Sequence, residues 1–423
     1  MRNERWGLLG PESLESERRT RTLQLSAATR YFNDRAVPGL GGVWFGRQLL
    51  LATLGVVVAE RAAEKGKKYS NIKVANAIEA LACTLAYKNN QWKSDSRLAG
   101  RRKLQNKSED LAFEKVSEDS HYVTQPMRMA TVQALPALGF VSPQGQRFND
   151  FEPTDEACEF ISASCSALRP KNKEVTLHLA EWVCGGVDIS ENTLRNAISP
   201  CLPLPEKARR NLRNHLAGPN GTQEDVKRRQ NLLAWMDALR ANPSAAKLKP
   251  AVLDETHWHD IQAGSLFFKA QTLALEALDA VELGMGPKCS YVDATQKAQK
   301  QLQKLQQAAQ AFLASGNQHS DAKRFCEECT NPNPTAVLKA LVQRDGTGLR
   351  EREDDIIRGP AFSGKLPPPP TDEDAPPSES NATDIPIPEG VSFRLRNFYL
   401  LNLDLHGELD AWLQRHKELE NAA

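Results

Sequence analysis

Two short constellations in this 423-residue chain carry residue types that bind metal ions. His319, Cys326 and Cys329 include a Cys-x-x-Cys pair, which can hold two corners of a tetrahedral zinc site. A structural site needs four ligands, no second Cys-x-x-Cys follows, and Cys289 is the nearest candidate for the last corner. The pattern therefore predicts free thiols near a helix end and no bound metal. In His257-Trp258-His259-Asp260 the histidines are two residues apart, so on a helix they diverge by about 200° and cannot chelate one ion. Gly39-Leu40-Gly41-Gly42 precedes an apolar run, as phosphate loops precede a helix, but it lacks the Lys and Ser/Thr such loops use and predicts a tight turn. Walker A, dinucleotide and nucleophile-elbow motifs are absent from the sequence. These readings predict a non-enzymatic protein without a cofactor.

Composition narrows the partners. Fifty-four Lys and Arg against fifty-three Asp and Glu leave a net charge of +1, so a nucleic-acid site must be a local patch. Eight scattered cysteines are too few for a disulfide scaffold in a chain this long and predict mostly buried thiols in a reducing cytoplasm. The first twenty residues lack the apolar core of a secretory signal. The most apolar run, Leu49 to Ala59, is shorter than the about 20 residues of a membrane span and predicts a buried helix, with no membrane partner.

The elements that must position any site are helical. Buried or amphipathic patterns predict helices over 43–64, 71–87, 108–118, 173–184, 189–198, 205–217, 222–241, 257–282 and 292–314. In the last, Ala294, Ala298, Leu302, Leu305, Ala309 and Phe312 recur at spacings of four and three. The fold expected is mainly α: a flexible N-terminus (1–24), an N-terminal domain (25–168), a helical-bundle domain (169–345), a disordered Pro- and acid-rich linker (346–392) and a docking tail helix (393–423). The tail is too apolar to stand free in water, and Phe398, Leu401 and Trp412 are its candidate anchors for a partner subunit.

Between the predicted helix at 108–118 and Thr154 the order of elements is distinctive. A helix beginning near Pro126 and ending at Gly139 would bury Ala130, Ala134, Leu135 and Leu138. Phe140 and Val141 start a strand, the Pro143-Gln144-Gly145 turn reverses it into 147–151, and Thr154 caps a helix that opens with Asp155 and Glu156. With Thr131-Val132, Leu138-Gly139-Phe140-Val141 and the turn at Gly145, residues 72–166 resemble the winged helix-turn-helix superfamily. The resemblance implies that 126–138 is a recognition helix carrying Gln125, Arg128, Thr131 and Gln133 toward a DNA groove, with Arg147 on the wing. Arg101, Arg102, Lys103 and Lys107 are then candidate phosphate contacts. Pro136 departs from a regular helix and would kink its last turn.

Two functions are therefore expected. The first is a DNA-binding protein, or the DNA-recognition subunit of a multiprotein bacterial-type assembly. The second is a scaffold or adaptor whose helical half and tail hold other protein subunits while the winged helix serves as a packing module.

Overall fold

The computed structural model describes residues 21–107, 109–143, 145, 147–186, 189, 192–243, 250–364, 385–387 and 393–422. Most of the N-terminus, Ser108, Gln144 and Gln146, and most of the expected linker lie outside the described residues. The chain is mainly helical. Its helices are α1 (Ser26–Ala36), α2 (Gly46–Glu64), α3 (Asn71–Asn89), α4 (Arg101–Asn106), α5 (Phe113–Val116), α6 (Ala134–Ala137), α7 (Asp155–Cys165), α8 (Val175–Val183) and α9 (Asn192–Ile198). They continue as α10 (Glu206–Leu216), α11 (Gln223–Ala241), α12 (Glu255–Glu282), α13 (Tyr291–Ala314), α14 (Ser320–Cys329), α15 (Pro334–Asp345), α16 (Phe393–His406) and α17 (Leu409–Ala422). Among the described residues the short strands are β1 (Val141–Pro143), β2 (Phe151–Pro153), β3 (Lys288–Ser290), β4 (Leu349–Arg352) and β5 (Asp355–Arg358). Among the described residues no helix is long and apolar enough to cross a membrane.

Two compact units divide the chain: a larger one of residues 31–265 and 369–423, and a smaller one of 1–30 and 266–368. The break expected at 168/169 is not where they part, because α7 and α8, on either side of it, both pack on α2.

In the larger unit α2 is the centre. Its Leu, Val and Ala residues leave no polar stripe, so it has to be covered all round. α3, α7, α8, α9, α16 and β2 supply that cover. Close approach to α3 depends on Gly55, where a Cβ would collide with Ala75. Polar groups carried inside are bonded: Arg47 donates to the carbonyls of Ala197 (2.5 Å), Leu202 (3.1 Å) and Pro203 (3.2 Å). Burial lowers its pKa. The Gly46 N–H at the start of α2 donates to Asp404 Oδ2 on α16 at 2.7 Å, a carboxylate at the positive end of a helix.

That bond belongs to a corrected expectation. Phe398 and Leu401, read as anchors for a partner, lie in the chain's own core with Leu395, and α16 packs against α2, α10 and α11. Trp412 is partly buried and stacks on His416. Asp237 on α11 accepts hydrogen bonds from Arg213, from Asn402 (2.9 Å) and from His406 (3.0 Å). Burial raises its pKa, but these bonds outweigh it and hold the carboxyl below its usual range. A second correction concerns 108–118, where among the described residues only the single turn Phe113–Val116 is helical.

The smaller unit contains the three-stranded antiparallel sheet β3-β5-β4, with Leu349 opposite Arg358 and Cys289 opposite Ile356. Order was expected to fail from Gly346; instead β4 and β5 form a hairpin. Asp345 Oδ2 accepts the Leu349 N–H (2.9 Å), and Leu349 and Ile356 are buried. The unit also encloses an ion cluster: Arg21 pairs with Asp279 (2.6 Å), Glu282 (2.5 Å) and Asp345 (3.1 Å).

If α16 is core, truncating its anchor behaves as a core deletion. Phe398→Ala is expected to lower the unfolding free energy by about 3 to 5 kcal/mol in urea titration, whereas Trp412→Ala changes it far less. A midpoint for Phe398→Ala equal to that of the wild type would contradict this placement.

Candidate nucleic-acid interface

The segment after Tyr122 is held by one side chain of α3. Ser70 caps that helix, its Oγ accepting the Lys73 N–H at 3.2 Å. Two turns on, Glu79 is buried, with its carboxylate turned toward the segment that crosses α3. Oε1 accepts from the Met127 N–H (2.6 Å) and the Tyr122 hydroxyl (3.0 Å), and Oε2 from the Arg128 N–H (3.1 Å). Met127 and Arg128 open a 3₁₀ turn, Met127–Thr131, whose capping residue is Pro126 and which has no local side-chain cap. Glu79 thus satisfies from a distance the orphan N–H groups every helix start leaves.

Burial pushes the Glu79 carboxyl up to about 7, against the three hydrogen bonds and the Arg128 charge, which draw it down. The Cys83 thiol, 3.4 Å from the Tyr122 hydroxyl, is pushed by burial up to about 12. Burial likewise carries the Tyr122 hydroxyl well above its ordinary range.

The recognition helix expected over 126–138 is corrected. The chain coils as the 3₁₀ turn 127–131 followed by the single α turn Ala134–Ala137, with Val132 and Gln133 between them. Pro136 carries no N–H to extend the ladder. Close packing also limits the segment, since a Cβ at Gly39 or Gly42 would press on Ala137 or Ala130.

Two of the four expected groove contacts turn inward. Thr131 is fully buried and its hydroxyl donates to the Arg128 carbonyl at 2.8 Å. Arg128 donates through Nε to Asn76 Oδ1 (2.6 Å) and lies 5.4 Å over the Phe148 ring; burial lowers its pKa. Gln125 and Gln133 are exposed, as are Met129 between them and Arg147, expected on the wing, between β1 and β2.

A two-stranded ribbon and the following helix form, but the second strand lies at Phe151–Pro153 and not over 147–151, because Phe148–Asp150 coils as a 3₁₀ turn closed by the Asp150 N–H on the Arg147 carbonyl (2.8 Å). β1 and β2 pair antiparallel with Ser142 opposite Glu152, and Thr154 accepts the Ala157 N–H to cap α7. Asn71 at the start of α3 ties the ribbon down, donating to the carbonyls of Phe148 (3.1 Å) and Phe151 (2.8 Å).

Of the expected phosphate contacts, Arg102 and Lys103 are exposed and Arg101 and Lys107 partly so. All stand on or just after α4, which follows Gly100 at φ +77°. Lys103 Nζ donates to the Tyr122 carbonyl (3.4 Å) and Lys107 Nζ to the Ser120 carbonyl (2.6 Å). α4 therefore borders the segment that carries Gln125, and these bonds leave both ammonium charges unneutralised.

Sequence reasoning missed the wider setting of α4. Residues 61–107 hold twelve Lys and Arg against Glu64, Glu79 and Asp95. Glu79 is buried and Asp95 is bound to Arg97 at 3.1 Å, so two of the three acids offset little at the surface. Lys65, Lys67, Lys68, Lys73, Lys88 and Lys93 are exposed. Local charge counting along the chain was the available signal. Glu79 itself had none, because a lone acid inside an apolar helical stripe announces no partner.

His319, Cys326 and Cys329 do not assemble. His319 Nδ1 accepts the Ala322 N–H at 3.5 Å as the cap of α14, while both cysteines are buried and burial raises their thiols. Among the described residues no group of three His, Cys, Asp or Glu is arranged to hold a metal ion. His257 is buried with Nε2 3.1 Å from the Ala36 carbonyl, its pKa lowered by burial, and Asp260 pairs with Arg228 at 2.7 Å. Asp254 accepts the His257 N–H at 2.7 Å at the start of α12.

Comparison of the chain with protein-family models, with curated proteins and with solved structures finds no match in any of the three.

The folded-state pKa of Glu79 lies above its ordinary 4.5, so the stability it contributes is complete below that value and is lost as pH rises through about 7. Relative to Glu79→Gln, the wild type is expected to lose on the order of 3 kcal/mol of unfolding free energy between about pH 5 and about pH 8. Parallel pH profiles for the two proteins would show that no buried carboxyl titrates there.

Proposed function

We propose that the larger unit binds DNA without catalysing a reaction on it, and that the basic stretch 61–107 provides most of the affinity through phosphate contacts. The observation that carries this reading is the local surplus of cations whose charge the fold leaves open. Among the described residues Lys67, Lys68, Lys93, Arg101, Lys103 and Lys107 make no ion pair. Lys73 and Lys88 project from α3 within about 60° of each other and about 22 Å apart along its axis. Duplex DNA of that length presents on the order of a dozen phosphates, so the spacing suits a backbone contact rather than a point site.

Gln125, on the segment that α4 borders, and Gln133, both exposed, are the candidate side chains for base edges, and Arg147 adds a cation at the ribbon. The ribbon followed by α7 supports a winged-helix-like arrangement, while the interrupted segment 127–137 removes a long helix as the reading element. Sequence preference should accordingly be weak compared with affinity. A scaffold role for the tail loses its support, since the apolar anchors proposed for it are occupied inside the larger unit.

In this reading, binding of a mixed-sequence duplex falls steeply with salt. Replacing Arg101, Arg102, Lys103 and Lys107 with Gln is expected to flatten the slope of log K against log salt by about 0.9 for each phosphate that is no longer neutralised. Arg128→Gln, by contrast, acts through stability and leaves the slope unchanged. Failure of the wild type to shift any duplex in low salt would overturn the reading.

A further inference from the structure

In the smaller unit, α13 turns to solvent, beyond Asp293 in its first turn, a face made mostly of Lys and Gln. Its other side, Ala294, Ala298, Leu302, Leu305, Ala309 and Phe312, is buried, and the helix packs against α14 and α15. From Ala294 to Ser320 the sequence contains no Asp or Glu. Lys297, Lys300 and Lys304 are all exposed, and among the described residues none of them makes an ion pair or hydrogen bond. At 100° per residue these three lie within about 60° of one another and rise about 10 Å along the axis. Beside that row, about 100° around the helix, runs a second row of exposed amides, Gln299, Gln303, Gln307 and Gln310.

A merely solvated helix face mixes signs, because opposite charges four residues apart stabilise it. Here Asp293, four residues before Lys297, is the one carboxylate so placed, and its Oδ2 accepts from the Ser290 hydroxyl at 2.8 Å; Lys300 and Lys304 have no acid three or four residues away. We infer that this face of α13 is a second nucleic-acid contact, with the lysine row along the phosphates of a duplex and the glutamine row hydrogen-bonding at the groove edge. Ammonium groups supply sequence-independent attraction, and a Gln side chain offers both a donor and an acceptor to sugar, phosphate or base edge. A lipid surface does not fit, since the apolar side that an interfacial helix would insert is already covered within the unit. The inference shares with the larger unit only the class of ligand; the residues are separate, so the two stand or fall on different substitutions.

The test uses the full chain and a fluorescent mixed-sequence DNA duplex, with anisotropy followed against salt. Lys297→Gln/Lys300→Gln/Lys304→Gln keeps helix propensity nearly constant, and it is expected to flatten the salt slope by about 2.7, weaken binding more than tenfold in low salt, and leave the melting temperature unchanged. The matching Lys→Arg triple variant is expected to bind as the wild type, which separates removal of charge from a damaged helix. If the Lys→Gln variant binds like the wild type while Arg101→Gln/Lys103→Gln/Lys107→Gln weakens binding, the α13 contact is overturned and the larger-unit reading stands. If poly-L-glutamate displaces the duplex as well as unlabelled duplex does, the face serves acidic polypeptide and the inference is overturned. If the wild type binds no duplex, both fall.

Discussion

From Gly46 to Ala59, helix α2 has no face for water. Leu49, Leu50, Leu51, Leu54, Val56, Val57 and Val58 are all buried, and even Arg47, Gln48 and Thr53 are enclosed with them. At about 1.5 to 3 kcal/mol for each fully buried large apolar side chain, leaving any side of this helix bare would cost a large fraction of a domain's net stability. The larger unit is the set of elements that covers it. Helices α3, α7 and α8 do so from nearby sequence, and α16 from more than three hundred residues away. The same demand explains why polar groups enter the core only with partners: Arg47 meets three carbonyls, and the Gly46 N–H meets Asp404.

Glu79 follows from this packing. The segment 122–137 crosses α3 because α2 and α3 need cover there, and its first amides arrive without solvent. A carboxylate from α3 satisfies them at the cost of its own desolvation, which the raised pKa records. This anchoring also decides which side chains remain outside. With Met127 and Arg128 tied down at their backbone, Thr131 and the Arg128 guanidinium turn inward, and Gln125, Met129 and Gln133 turn outward.

The two basic surfaces arise differently. Around α3 and α4, positive charge is left over because the acids of the stretch are drawn into the fold, Glu79 to amides and Asp95 to Arg97. On α13 the sequence supplies no acid after Asp293, and the helix period sorts Lys and Gln onto adjoining rows. Near-neutral net charge conceals both, since acids elsewhere balance the sum without neutralising either surface.

Local pattern by itself determined the mainly helical class, the long helices α2, α3, α11, α12 and α13, the presence of a strand pair flanking Gly145 though not the place of its second strand, and the Thr154 cap. Each depends on residues within a turn or two, where hydrophobic period and capping chemistry act directly. The buried stripe of α13 is the clearest case, every residue expected on it being enclosed. Only tertiary structure decided the rest. The tail became core instead of a partner's ligand because α2, α10 and α11 left a face that Phe398 and Leu401 fill. The β4–β5 hairpin formed after Gly346 because Asp345 and a strand at 288–290 were there to bond it. The long reading helix became two short turns because Glu79, distant in sequence, captured its first amides, and Pro136 could not carry the ladder onward. In each case the deciding partner is far along the chain, and a local pattern carries no information about which distant group will satisfy a buried donor or cover an apolar face.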